Sequence, residues 1–397
     1  MKNYADGREL VVELEGKFDS VTAQKTEEEI LRIWKEHPGL ALCLDAERLD
    51  YISSTGLRSL LRLSGMGNEK LIIRNPSPSV LEVLDVTGIS TMLSIRKKRR
   101  ELSVEGCEII GKGAFGTVYR LDADTVVKVY RNGEDSLPII ENEQLRSRQA
   151  FLAGLPTAIP FDIVRVGDQY GSVFELIRAE NCNDLLVKNP DYLEKLIPAY
   201  ASFLKAVHSS QTWSGQMDSA KEIWLRNLDA FSPRIEGRVG ADVISRLKKL
   251  LTDMPDDLHL IHGDVQLKNV MLSGDQMILL DMDHICTGNP VFEFASLFAS
   301  YMAFNEDDPE DSVKFCGLTD ETVSRLFHGT LKSYLGDPAP EELNRAMVKI
   351  MITGYIRFLT ILLLENVSSE DDLLEIRLRH VSEHLRKLAF ETENLLL

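Results

Sequence analysis

Cysteine is scarce in this chain of 397 residues: Cys43, Cys107, Cys182, Cys286 and Cys316 lie scattered, with no CxxC pair and no metal-ligand spacing. That argues against both disulfides and structural zinc and points to small buried residues kept in a reducing compartment. The first residues, Met1 to Asp6, lack a charged start followed by an apolar run, so no secretory signal is expected and the cytoplasm is the expected location. Basic residues are outnumbered, 45 Lys and Arg against 62 Asp and Glu, for a net charge of −17. A nucleic-acid footprint needs clustered cations, so no nucleic-acid partner is expected. Long apolar runs are also lacking. The longest, Ile350 to Leu364, carries Arg357 in its middle and is shorter than the roughly 20 residues a bilayer requires. It is expected to be a buried helix of a helical subdomain, with no membrane partner.

What is present is enough apolar sequence, 44%, to bury more than one core. The one strong basic run, Arg96 to Arg100, separates two segments of different periodicity and reads as a connection. Before it, Leu10 to Leu14 alternates like a strand and Thr22 to Trp34 has helical spacing. Leu40 to Leu44 reads as a strand ended by Asp45; Ser53, Ser54 and Thr55 then open a helix over 56–63. Leu71 to Ile73 adds a strand and Val80 to Leu84 a helix, which together make a small α/β domain.

The stretch Leu44-Asp45-Ala46-Glu47-Arg48-Leu49-Asp50-Tyr51-Ile52-Ser53-Ser54-Thr55-Gly56-Leu57, with Leu84-Asp85-Val86-Thr87-Gly88-Ile89, resembles STAS domains of the anti-sigma-factor antagonist family. The resemblance covers about residues 5 to 97 and implies a docking or regulatory module with a protein partner. It also implies that Ser54 stands at the family's phosphorylation position. The competing reading is that Ser53, Ser54 and Thr55 serve as N-cap and first-turn groups.

After the connection, Gly111, Gly113, Gly116 and Val118 form a GxGxxGxV pattern. A dinucleotide-binding turn has the same glycines but must open a helix. Here Thr117 to Leu121 alternates like a strand, Asp122 to Asp124 turns, and Val126 to Tyr130 returns. A strand-loop-strand hairpin of this kind is the phosphate lid of a kinase. Lys128, on the returning strand, is expected to hold the nucleotide's phosphates. Glu143 is its expected carboxylate partner and Glu141 the alternative, since the phase of the helix over 139–152 is not determined by the sequence. Val173 to Ile177 reads as the strand entering an adenine-binding hinge, with backbone groups near Glu175 and Ile177 as contacts.

His262-Gly263-Asp264-Val265-Gln266-Leu267-Lys268-Asn269 is followed by a short hairpin ending at Asp281. Phosphoryl transfer needs one carboxylate for the acceptor hydroxyl's proton and further oxygens for a metal ion. Asp264 is therefore the expected base, and Asn269 and Asp281 the expected Mg²⁺ ligands. His262 is expected to support the loop, and Lys268 to touch phosphate or lie on the surface.

From about Val104 to Tyr301 these residues resemble the aminoglycoside phosphotransferase and choline kinase superfamily, with Asp281-Met282-Asp283 in place of Asp-Phe-Gly. Gly288-Asn289-Pro290-Val291-Phe292-Glu293 resembles its Gly-Asp-Pro segment, departing at Asn289 and Glu293. The resemblance implies an α+β bilobal protein-kinase-like fold with a helical C-terminal lobe, using ATP and Mg²⁺.

The expected organisation is a STAS-like domain over 1–97, a linker over 98–103, an N-lobe over 104–178 and a C-lobe over 179–397. Gly263 removes the arginine of peptide kinases, and only about a dozen residues separate Asp281 from Glu293. Both features favour a small hydroxylated acceptor. The substrate pocket is expected from Tyr192 to His208, Trp213 to Phe231 and the helices after Glu321. Asn305 to Asp311 either lines it with negative charge for an amine or is a solvated acidic loop. The alternatives are a kinase acting on a protein, including the chain's own N-terminal domain, and a nucleotide-binding module with little turnover.

Overall fold

A computed structural model describes residues 1–67, 70–113, 116–210, 217–365 and 371–397. It divides into two compact units, Met1–Glu101 and Leu102–Leu397.

The first unit is built on β1 (Asn3–Asp6), β2 (Glu9–Phe18), β3 (Ala41–Ile52), β4 (Ile72–Arg74) and β5 (Ser94–Arg96), hydrogen-bonded in that order. β1 is antiparallel to β2, and the remaining neighbours are parallel. Parallel neighbours need crossover connections, supplied here by α1 (Ala23–Lys35), α2 (Ser54–Ser64) and α3 (Pro78–Val86). Leu10, Val12, Leu14, Leu42, Leu44 and Ile73 fill the core beneath these helices with Ile30, Leu60 and Leu84. The alternate residues face the other way, where Arg96 pairs with Glu9 at 2.8 Å. β3 does not end at Asp45 as the sequence suggested. Ala46, Leu49 and Ile52 continue to bury side chains, and shifts of register against β2 carry the strand to residue 52. A two-residue strand, Arg100–Glu101 (β6), follows, and Lys98 Nζ holds Glu47 at 2.6 Å.

The second unit has two lobes. In the N-terminal lobe, β7 (Glu108–Lys112), β8 (Gly116–Arg120), β9 (Thr125–Tyr130), β10 (Pro160–Val166) and β11 (Gln169–Glu175) are antiparallel in the order β10-β11-β9-β8-β7. The β8–β9 turn is held by Asp122, whose Oδ1 accepts from the amides of Asp124 and Thr125, each at 2.8 Å. α4 (Leu137–Leu152) packs on this sheet.

The C-terminal lobe is helical: α5 (Cys182–Lys188), α6 (Leu193–Ser209), α7 (Ala220–Val239), α8 (Ala241–Thr252), α9 (Val291–Phe298), α10 (Asp311–Cys316), α11 (Asp320–Tyr334), α12 (Pro340–Leu363) and α13 (Asp371–Leu388). Short strands β12 (Glu180–Asn181), β13 (Leu260–Ile261), β14 (Val270–Ser273), β15 (Gln276–Leu279) and β16 (Cys286–Thr287) carry the functional loops. This is the bilobal arrangement expected. Trp213 lies outside the described residues. α12 is long and apolar enough to cross a membrane, yet Ile350, Ile352, Tyr355, Ile356, Phe358 and Leu359 are buried inside the lobe, as expected of a core helix.

Candidate active site

The β8–β9 hairpin places Lys128 at the cleft between the lobes. Valines on either side, Val127 and Val129, enter the sheet core, so the intervening side chain points to the other face. There Lys128 Nζ donates to Glu143 Oε1 at 2.7 Å, while Glu141 on the same helix is exposed. Asp281 and Asp283 lie 3.8 and 3.9 Å from the same ammonium. Burial works against the charge on Lys128, but these three carboxylates outweigh it and hold its pKa above the usual lysine value.

Among the loop glycines, Gly116 has a steric reason close at hand: a Cβ there would lie 2.2 Å from the carbonyl oxygen of Val129 on the paired strand. Gly113 has open space around the position of a Cβ, and its N–H donates to Gly116 O at 2.9 Å. Gly111 and Val118 pair across the β7–β8 ladder. Ala114 and Phe115, at the tip of the loop, lie outside the described residues. At the hinge, the Glu175 N–H is engaged by Ile159 O at 3.0 Å and the Leu176 N–H by Asp124 O at 2.7 Å. The amides of Glu175 and Leu176 are therefore already engaged and not available as adenine donors.

Opposite, β13 leads into the loop carrying Asp264. Its carboxylate accepts from Gln266 Nε2 at 3.1 and 3.0 Å and from Asn269 Nδ2 at 3.0 Å. Asn269 Nδ2 also donates to the Asp264 carbonyl at 2.9 Å, so both of these hydrogen bonds use its amide nitrogen and neither uses its oxygen. Burial pushes the Asp264 carboxyl up to about 6, against the lowering effect of the Gln266 hydrogen bond. Asp281, at the end of the β14–β15 hairpin, has φ +61°, a left-handed conformation uncommon outside glycine. Burial and its neighbour Asp281 raise the Asp283 carboxyl.

Several supports were not evident in the sequence. Glu293, read there only as a departure, is fully buried in α9 and accepts the backbone N–H groups of His262 at 2.7 Å and Gly263 at 2.9 Å. His208 Nε2 approaches the same carboxylate at 3.4 Å. Burial alone would raise Glu293, but these hydrogen bonds and histidines hold it below the usual carboxylate value. His262 Nε2 donates to Leu280 O at 2.9 Å, tying the Asp264 loop to the Asp281 hairpin, as a supporting role requires. Gly263 has φ +79°, and a Cβ there would meet His284 O at 2.5 Å. An arginine could not take this backbone without strain. Lys268 donates to Phe315 O and lies over the Phe315 ring, 4.0 Å from its centroid. Its ammonium is thus occupied at the lobe surface. Asp283 is the other residue missed; with Glu143 and Asp281 it brings carboxylate oxygens within 4.8 Å of one another. An oxygen-only set of hard donors suits Mg²⁺.

The acidic stretch after α9 is not a free negative wall: it is a partly solvated loop, with Glu306, Pro309 and Glu310 exposed, whose carboxylates are engaged. Tyr355 OH donates to Glu306 at 2.8 Å, Asp307 engages His380 at 3.1 Å, and Asp308 holds Lys314 at 2.8 Å.

The sequence model of the phosphotransferase enzyme family matches residues 106–320. The chain belongs to that family. In this phosphotransferase the STAS domain model matches residues 2–102. No curated protein matches the sequence. Similar solved structures include a thermostable mutant of aminoglycoside phosphotransferase APH(4)-Ia in ternary complex with AMP-PNP and hygromycin B. It is 13% identical, with 72% of this chain and 95% of that chain covered and a TM-score of 0.49. A streptomycin-ATP-APH(2")-IIa ternary complex is 17% identical, covering 73% and 93% at a TM-score of 0.45. A choline/ethanolamine kinase family protein from Mesorhizobium loti is 15% identical, covering 72% and 92% at a TM-score of 0.45.

Proposed function

We propose that this phosphotransferase moves the γ-phosphoryl group of ATP, with Mg²⁺, to a hydroxyl of a small molecule of the aminoglycoside, choline or sugar type. The observation that carries the reading is the meeting of Lys128, Glu143, Asp281 and Asp283 within one ion-paired cluster. Lys128, fixed by Glu143, is positioned to hold phosphate oxygens at the mouth of the glycine loop. Asp281, Asp283 and the Asn269 oxygen would hold Mg²⁺, which when bound neutralises the charge of the phosphates. Asp264 orients the acceptor hydroxyl and takes its proton. With its carboxyl near 6 it is ionised at neutral pH yet basic enough to accept. Gln266 Oε1 is buried and takes no hydrogen bond among the described residues, so a hydroxyl or ammonium of the acceptor would satisfy it.

A small acceptor is favoured over a protein because the chain from Asp281 to α9 holds only the turn Met282–His284 and the two-residue β16. That leaves no extended segment to dock a peptide. On this reading the enzyme works in the cytoplasm, where ATP is supplied, with the STAS domain as a regulatory or docking module. The test is ADP release on a panel of amines, sugars and nucleosides, with Asp264→Asn as background. Acceptor-dependent turnover in the wild type and none in the variant is expected; equal rates in both would sink the reading.

A further inference from the structure

α13 carries His380 and His384 four residues apart, on one face of the helix. Their Nε2 atoms face each other at 2.7 Å. His380 Nδ1 engages Asp307 Oδ1 at 3.1 Å, which puts the ring proton on Nδ1 and leaves a lone pair on Nε2. Glu306, from the segment after α9, is held by the Tyr355 hydroxyl through both carboxylate oxygens. Tyr355 also stacks on the His384 ring, with centroids 5.1 Å apart, and so restrains both would-be ligands. One ligand atom from each of Glu306, His380 and His384 lies within 4.8 Å of the others.

We propose that His380, His384 and Glu306 form a divalent metal site of the zinc class, which staples α13 to the segment around Glu306. Two imidazoles and one carboxylate match zinc's preference for nitrogen with one oxygen ligand, whereas Mg²⁺ avoids imidazole. Asp307 completes the arrangement as the carboxylate that orients a ligating histidine from behind. Tetrahedral ligands about 2.0–2.1 Å from a zinc ion stand roughly 3.3 Å apart, so the two rings open by about half an ångström on binding. Without a metal, the close pair is accounted for by His384 donating its Nε2–H to His380; on zinc binding that proton leaves to solvent and Nδ1 of His384 takes one up, so the ring ligates as the neutral Nδ1–H tautomer. The site is chemically separate from the Asp281 and Asp283 cluster, whose donors are all oxygen.

The experiment titrates Zn²⁺ calorimetrically into chelator-stripped full-length protein, in excess Mg²⁺ to mask the oxygen cluster. One Zn²⁺ per chain with Kd below about 1 μM is expected. His380→Gln and His384→Gln should each weaken binding at least about 100-fold, and Asp307→Asn by about 10–100-fold, with circular dichroism unchanged. Co²⁺ loading of the wild type gives a readout that needs no variant: visible bands of a four-coordinate nitrogen and oxygen site are expected. No saturable Zn²⁺ binding, binding retained in the folded double variant, or a thiolate charge-transfer band would each overturn the proposal.

Discussion

At Asp264, the proposed base, one carboxyl is expected to link pH, turnover and stability. A base whose carboxyl is raised to about 6 by burial must be ionised to work, so kcat should fall tenfold per pH unit below about 6. A pH–rate profile checks this, and a flat profile down to pH 5 would remove Asp264 from that role. The sign for stability is opposite. A native pKa above the unfolded one favours the protonated form, so stability from this group is present at low pH and lost as pH rises through about 6. Asp264→Asn should therefore abolish turnover while raising the unfolding free energy at pH 8 by on the order of 2 kcal/mol, a gain that disappears near pH 3.5. Urea denaturation at the two pH values measures it. Glu293 behaves the other way. Its native carboxyl is lowered, so its contribution is present at neutral pH and lost as pH falls through the carboxylate range. Glu293→Gln replaces an acceptor of two backbone N–H groups with an amide that satisfies at most one. A loss of about 2–3 kcal/mol, with kcat reduced because the Asp264 loop is released, is expected from denaturation and kinetics together. The motif around Asp264 could be read from the sequence because its residues lie within one local stretch. Glu293 could not, since only the packing of α9 against the loop shows that an acidic residue there faces backbone amides.

At the scale of elements, loop and hairpin are joined by close backbone approach. Gly263→Ala puts a methyl group against His284 O, 2.5 Å from the built Cβ position, at a left-handed φ. A destabilisation of about 2–4 kcal/mol is expected, with kcat lowered more than ATP affinity, since Lys128 and the glycine loop lie on other elements. Thermal unfolding and separate determination of kcat and KM check it; an unperturbed kcat would show that the loop tolerates the shift. The elements themselves were largely evident in the pattern. The β8–β9 hairpin follows from alternation and the Asp122 turn, and α12 from its apolar face. The length of β3 did not follow, because Asp45 resembles a strand end until the register shifts against β2 carry the chain on to Ile52. The choice of Glu143 over Glu141 also needed the structure, since it rests on the phase of α4 relative to β9.

At the scale of the whole molecule, the question is whether the phosphotransferase modifies its own STAS domain. Ser53 caps α2, its Oγ accepting from Gly56 N at 3.4 Å, and Ser54 is the exposed first residue of the helix. A short tether gives a high effective concentration, which favours even a poor acceptor. Against this stands the absence of a peptide-docking segment after Asp281. Incubating full-length protein with ATP and Mg²⁺, then mapping phosphate by mass spectrometry against Asp264→Asn, should leave Ser54 unmodified. Stoichiometric phosphate on Ser54 in the wild type alone would instead make the protein a kinase of its own domain. The sequence by itself determined the two-domain plan, the glycine hairpin and the Asp264 to Asp281 motif, because each is written in contiguous spacing and local propensity. Only the tertiary structure decided that Asp283 joins the Lys128 cluster, that Glu293 anchors the loop, and that His380 and His384 meet Glu306. Those residues come from elements distant in the chain, and their distances are set by how helices pack within the C-terminal lobe and how that lobe meets the N-terminal one, which no periodicity records.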